Sequence, residues 1–177
     1  MKKILLGTLL ILLAPQIFCQ TLRTVTHVDV DRYAGTWYEI ARLPNRFQVQ
    51  CVANVTAQYR KREDGRIDVI NRCKKTDGST EEAAGVARIV DPVSQAKLSV
   101  RFAPSWLSWL ASVWGDYWIL ELAPDYSVAV VGEPSLQYLW ILSRTPSIPD
   151  ATYAELLSNL AKQNYKVSAV VKTPQQH

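Results

Sequence analysis

The side chains that could do chemistry in this chain are few. Cysteine occurs three times, at Cys19, Cys51 and Cys73, and histidine twice, at His27 and His177. A metal ion of the zinc type wants about four Cys, His or carboxylate ligands, and two thiols with two remote imidazoles make a poor set. Nucleophilic catalysis needs a base beside the nucleophile and a third group to hold the base, and neither histidine stands in a Ser-His-Asp pattern. A thiol mechanism survives only while Cys51 and Cys73 are free. In an oxidising compartment the same pair forms a disulfide, with metal binding as the weaker alternative. A count of reactive thiols on the mature protein separates the two.

Residues 1–19 point to that compartment. Met1, Lys2 and Lys3 precede an apolar run over 4–13, Pro15 breaks it, and Ile17, Phe18 and Cys19 stand before Gln20 as a cleavage site. This is the charged start and short apolar centre of a secretory signal, too short to span a bilayer. The competing reading is a lipoprotein signal, in which Cys19 becomes the acylated first residue and anchors the protein in the outer membrane. Such processing wants a small residue before the cysteine and an aliphatic one three before it, where this chain has Phe18 and Gln16. The expected location is therefore periplasmic or secreted, with the Cys19 anchor as the alternative. Once Cys19 leaves with the signal, a Cys51–Cys73 disulfide is the economical outcome.

At 177 residues the chain has room for a signal over 1–19 and one domain over 20–177, large enough for a core of its own. The formal charge is +4, and removing the two leader lysines leaves +2 on the remainder. Basic residues are interspersed with acids and form no stripe, so no nucleic-acid partner is expected.

The elements that must position these groups are mostly strands. Turn signals at short spacing predict strands over 36–43, 51–60, 66–73, 84–90, 97–102, 117–122, 127–131 and 137–143. In the second, Ala53, Val55, Ala57 and Tyr59 alternate with Asn54, Thr56 and Gln58; in the fifth, Leu98, Val100 and Phe102 alternate with Lys97, Ser99 and Arg101. Asp31 to Ala34 forms a helical turn before the first strand. A helix is predicted over 150–163, with Asp150 as N-cap and Tyr153, Leu156, Leu157, Leu160 and Ala161 as its apolar stripe. A weak strand over 166–171 and a frayed tail over 174–177 close the chain. Eight sequential strands with short connections fit an all-β fold, an antiparallel up-and-down barrel with the helix outside; a sandwich is the alternative.

In that order the connections alternate between the two ends. Cys51 at the start of the second strand and Cys73 at the end of the third then meet at one end, and their bridge closes a loop of about twenty residues, stabilising by about 3 kcal/mol. The segment 103–115 lies at the same end. Its Trp106, Leu107, Trp109, Leu110 and Trp114 are too apolar for an idle loop. They suit a lid over the cavity, a membrane-touching element or a subunit contact in a homodimer.

Two stretches carry a family resemblance. Gly35-Thr36-Trp37-Tyr38-Glu39-Ile40-Ala41-Arg42 and Tyr138-Leu139-Trp140-Ile141-Leu142-Ser143-Arg144-Thr145-Pro146 together resemble the lipocalins, in their bacterial, apolipoprotein D-like branch. The Gly-x-Trp of that family falls on Gly35 and Trp37, and its late arginine falls on Arg144. Val130-Val131-Gly132-Glu133-Pro134 is similar to the segment between its last two barrel strands. The resemblance implies that Arg144 packs across Trp37 at the closed end as a structural floor, a cation-π contact of about 0.5–2 kcal/mol. It implies an exported carrier for a fatty acid, lysophospholipid or similar small hydrophobic ligand, serving membrane lipid storage, transport or repair, without cofactor or metal. The alternatives are a lipid- or isoprenoid-modifying enzyme on the same scaffold and a structural module with a filled barrel.

If Trp37 faces inward, Glu39, Ala41 and Leu43 share its face, and if Arg144 does, Leu142, Trp140 and Tyr138 follow. The expected ligand lining is Glu39, Ala41, Val55, Ala57, Tyr59, Leu98, Val100, Phe102, Tyr138 and Trp140. Glu39 is its awkward member, because a buried carboxylate must be paired or protonated.

Overall fold

A computed structural model describes residues 22–176. The signal and the Cys19 alternatives lie outside the described residues. The first element, α1 (Val30–Tyr33), is started by Asp29, whose carboxylate accepts from the backbone N–H of Asp31 and Arg32 at 2.9 and 3.2 Å. Then come β1 (Gly35–Arg42), β2 (Cys51–Lys61), β3 (Ile67–Lys75), β4 (Thr80–Ile89), β5 (Lys97–Arg101), β6 (Gly115–Leu122), β7 (Val128–Gly132) and β8 (Leu139–Ser143). Every strand pairs antiparallel with the next, and β1 pairs with both β8 and β2, so the sheet closes on itself as an eight-stranded barrel. Helix α2 (Asp150–Lys162) and a two-residue β9 (Val171–Lys172) follow.

Several boundaries move for local reasons. The polar stretch before residue 84, expected to be loop, is the arm of a hairpin: β3 and β4 stay paired out to Lys74 and Thr80. Its tip is built by Asp77, which accepts from Ser79 N and Oγ, and by Gly78 at φ +80°. Asp150 is the first helical residue rather than the cap, and Pro149 before it offers no side-chain cap.

A β-bulge decides which β1 side chains face the interior. The β1–β8 register shifts between Glu39 and Ala41, so the alternation that holds from Trp37 to Glu39 breaks there. Ile40, Ala41 and Leu43 all pack with Leu139, Ile141, Val130 and the α2 residues Leu156 and Leu160 on the outer wall. Ala41 therefore leaves the expected ligand lining, and Leu43 leaves the inward face expected of it.

The C-terminal segment also differs from expectation. Residues 167–169 form a 3-10 turn instead of a strand, and β9 pairs with Ala41 and Arg42. The β1–β2 ladder ends at Tyr38 and Thr56, where Asn54 takes φ 51°. The tail enters the gap: Thr173 N donates to Ile40 O at 2.9 Å, Pro174 O accepts from Asn54 N at 2.9 Å, and Gln175 Nε2 bridges the carbonyls of Glu39 and Val55 at 2.8 and 3.0 Å. Thr173 and residues 174–176 of the tail expected to fray act as a strap across the seam.

The closed end is a polar lock on an aromatic plug. Trp37 is wholly buried and donates from Nε1 to Tyr33 O at 2.9 Å. The Arg144 guanidinium lies 3.9 Å from the Trp37 ring centroid and donates to the carbonyls of Arg32, Tyr33, Ala34 and Thr36. Gly35 has φ +101°, and a Cβ there would come 3.2 Å from Arg144 Nη1, so the glycine is needed for both conformation and room.

Candidate functional site: the barrel interior and its mouth

Inward-facing side chains above the floor form one apolar cluster, with Tyr59, Ile67, Val69, Ala87, Leu98, Ile119, Val131 and Leu142 buried and Ala57, Val100 and Trp140 packed against them. A void of about 20 Å³ remains near the floor, lined by Val30, Tyr33, Ala34, Tyr59, Ile67, Val69, Ala87, Leu98, Val100 and Tyr117. Of the expected lining, Tyr59, Leu98 and Val100 border this void. Val55 packs higher up, against the disulfide. Phe102 lies at the rim, partly exposed, over Gly85, where a Cβ would collide with its ring.

Three tyrosines meet inside. Tyr117 Oη is 2.8 Å from Tyr33 Oη and 2.8 Å from Tyr59 Oη. Burial raises Tyr59 from its ordinary 10.0 to about 12. It also pushes Tyr33 and Tyr117 well above their ordinary value, with repulsion from a Tyr59 anion adding to both. Because the folded values are raised, the fold favours the neutral hydroxyls. The contribution of Tyr59 is complete below the ordinary 10.0 and is lost as pH rises toward about 12. The melting temperature should stay level up to about pH 10 and fall between there and about pH 12. A curve level across that window would mean that the hydroxyls are solvated.

At the mouth Glu39 is 2 % exposed, and both its carboxylate oxygens are paired. It accepts from Arg42 Nη1 at 2.7 Å, from Gln48 Nε2 at 2.6 Å and from the Thr173 hydroxyl. Gln48 Oε1 in turn accepts from Trp140 Nε1 at 2.8 Å and Asn45 Nδ2 at 2.9 Å. Trp140 is thus held by the first long loop. Tyr138 stacks on it with ring centroids 6.1 Å apart and meets Phe47 at 5.6 Å. Glu133 shapes the next loop, its carboxylate accepting from the backbone N–H of Ser135, Gln137 and Tyr138.

Cys51 and Cys73 form the expected disulfide, with Cα atoms 5.5 Å apart. Both thiols are therefore committed, and the thiol mechanism loses its nucleophile. Among the described residues no group of three His, Cys, Asp or Glu could hold a metal ion.

The tryptophan-rich segment does not act as one block. It makes two 3-10 turns, Ser105–Leu107 and Ala111–Val113. Arg101 anchors its root by donating to the carbonyls of Ala103 and Pro104. Trp114 is bound to the wall, with the Arg88 guanidinium 4.2 Å and that of Arg101 5.2 Å from its ring centroid. Leu107 and Leu110 are half-buried, and Trp109 is 77 % exposed. Nothing is described of the Trp106 side chain.

A closed eight-stranded barrel, a helix on its outer wall, Gly35 and Trp37 under Arg144, and an apolar interior define the architecture, and related proteins share it. The lipocalin-like domain profile matches residues 28–175. The chain belongs to the lipocalin family. Temperature-induced lipocalin-1 of Arabidopsis thaliana is 41% identical to this lipocalin over 156 residues, covering 87% of this chain and 83% of that protein. Outer membrane lipoprotein Blc of Escherichia coli K12 is 36% identical over 148 residues, covering 83% of this chain and 79% of its own. Insecticyanin of the tobacco hornworm shares the fold with a TM-score of 0.69 at 20% identity, over 90% of this chain and 87% of its own. The family is one of small-hydrophobic-ligand carriers, generally without enzymatic activity.

Beyond inward strand residues such as Ile67, Val69, Ala87 and Val131, the expected lining omits four residues that shape the lipocalin's interior and mouth. Gln48 and Phe47 sit in a loop, where no periodicity marks a facing. Tyr33 belongs to α1 and reaches the interior only because that turn folds under the barrel. Tyr117 could have been found, since Tyr117 and Ile119 alternate as Leu98 and Val100 do.

Proposed function

We propose that this lipocalin is an exported carrier of single-chain lipids, a fatty acid or lysophospholipid, which it exchanges at a membrane surface without transforming them. The observation that carries this reading is the exposed apolar rim. Phe47 (58 % exposed) and Val49 (79 %) on the first long loop stand at the same end as Phe102 and Trp109 on another. Two separate loops offering large apolar side chains around the mouth of an apolar barrel suit insertion into a bilayer interface. Rings there gain the transfer energy of apolar area, and the mouth is placed to receive an acyl chain directly. A relative that is an outer membrane lipoprotein supports work at a membrane. For this chain, export with removal of Cys19 remains our reading and acylation of Cys19 the alternative.

Phe47→Ser with Trp109→Ser tests the rim. In flotation with phosphatidylethanolamine–phosphatidylglycerol vesicles, the native protein should rise with the lipid and the double variant should partition at least about tenfold less. Unchanged partition would remove the membrane from the proposal and leave the rim for a lid or a homodimer contact.

One observation favours a second reading. Ligand pockets usually enclose about 300–1,000 Å³, whereas the void here is about 20 Å³. An acyl chain must therefore part the side chains between rim and floor. A barrel that never opens would be a structural module with a filled core.

A further inference from the structure

Three buried side-chain atoms among the described residues lack a hydrogen-bond partner: Arg42 Nε, Arg101 Nε and Asn71 Oδ1. The two arginines are otherwise held, Arg42 by Glu39, Thr173 and the Cys51 carbonyl, and Arg101 by the carbonyls of Ala103 and Pro104. Asn71 stands on the inner wall of the barrel. On β3, Asp68 pairs with Arg60 and Arg72 with Glu82 on the outer face, while Ile67 and Val69 belong to the inner core. The β3–β4 register runs unbroken from Ile67 to Lys74, so a period of two puts Asn71 inside with them. A buried carbonyl oxygen with nothing to accept from is costly, and native interiors rarely leave one.

The place of this amide is between mouth and floor. Val69, one inward step below, lines the apolar floor void, and Cys73, one inward step above, carries the disulfide. Each step is about 7 Å along the strand. Directly opposite on the neighbouring strands stand Ala57 and Ala83, too short to cover the amide and without a polar side-chain atom to satisfy it. An acyl chain that reaches the floor passes this level. What it must bring is set by Oδ1, which needs a donor, with Nδ2 beside it as a donor in turn. A hydroxyl answers both. A carboxylate offers no proton and an alkyl chain offers nothing, so either one leaves Oδ1 stranded. Turning the amide over exchanges its two ends, and a hydroxyl still pairs with each.

We infer that Asn71 selects single-chain lipids that carry a free hydroxyl a few atoms below the charged head. The head stays at the mouth, the hydroxyl donates to Asn71 Oδ1, and the tail runs on toward the apolar floor. The hydroxyl belongs either to the acyl chain or to a glycerol unit, and the chemistry at Asn71 is the same for both. This rests on the carrier reading and adds to it a selectivity that an apolar barrel alone would not have.

Two pairs of probes test it, each pair differing by one hydroxyl. The first is 3-hydroxyhexadecanoic acid against hexadecanoic acid; the second is hexadecanoyl lysophosphatidylcholine against its 2-deoxy counterpart, built on propanediol instead of glycerol. Binding to the native protein, followed by tryptophan fluorescence, should be about three- to tenfold tighter for the hydroxylated member of at least one pair, the worth of one neutral hydrogen bond. The pair that shows the preference tells whether the hydroxyl sits on the chain or on the glycerol. Asn71→Leu keeps the bulk of the side chain and removes its polar atoms, and should bind both members of each pair alike. Asn71→Ala should do the same, which covers the case in which the leucine variant does not fold. Equal affinities within both pairs in the native protein, or a preference that persists in either variant, would overturn the role of Asn71 alone. If none of the four lipids bound, the carrier reading would fall and this selectivity with it.

Discussion

Replacing Trp37 by alanine is expected to destabilise the protein by about 3–5 kcal/mol, the range for deleting a buried tryptophan. The ring is wholly buried, packs 5.0 Å from Tyr33 and offers its other face to Arg144. Its loss opens a cavity and takes the aromatic face from a guanidinium that closes the floor. Urea unfolding of native protein, Trp37→Ala, Arg144→Lys and the double variant would measure both the total and the coupling. The coupling should fall near the 0.5–2 kcal/mol of a cation-π pair, or about that. Lysine is not expected to rescue, because one ammonium cannot reproduce a planar fork shared among five carbonyls. Ligand preference in the folded fraction should stay the same, since these residues hold the barrel shut beneath the interior. A change in preference without a loss of stability would mean that the floor is part of the binding surface.

The second large effect lies at the other end. Cys51→Ala with Cys73→Ala removes a bridge between residues 22 apart, and the chain-entropy model gives a loss of about 3 kcal/mol. For a chain of this size the melting temperature should fall by roughly 6–12 °C. The disulfide joins the start of β2 to the end of β3, just where the β1–β2 ladder has already parted and the C-terminal strap fills the gap. Loss of the bridge should therefore raise amide exchange at 171–176 and at the first long loop before it does so at the floor. Uniform exchange across the barrel would show that the seam is not the weak point.

The topology was legible because hairpin punctuation and alternation are local signals. That same order placed Cys51 and Cys73 at one end, and the bridge is there. The facing of single residues was less legible. Ala41 was expected inside on a clean period of two, but a bulge inserts one residue after Glu39, and no residue type in Glu39-Ile40-Ala41 announces it. Glu39 looked awkward because, besides Arg42 on its own strand, its partners come from outside the strands: Gln48 in a loop and Thr173 near the C-terminus. The apolar segment at the mouth was plain in the sequence, yet its division was not. Whether Trp114 is free or clamped depends on Arg88 and Arg101, which become neighbours only through the β4–β5 register. The tyrosine cluster was hidden for a similar reason, since its three members come from a helical turn and two strands far apart in sequence.

The carrier reading is tested most directly by native mass spectrometry of the protein exported from its own cells and released without detergent. The expected spectrum shows the folded chain with one single-chain lipid bound, its mass matching a fatty acid or lysophospholipid, and a start at Gln20. A bare polypeptide that yields no extractable lipid, and takes up none when offered hexadecanoic acid or a lysophospholipid, would contradict it and make this barrel a filled structural module.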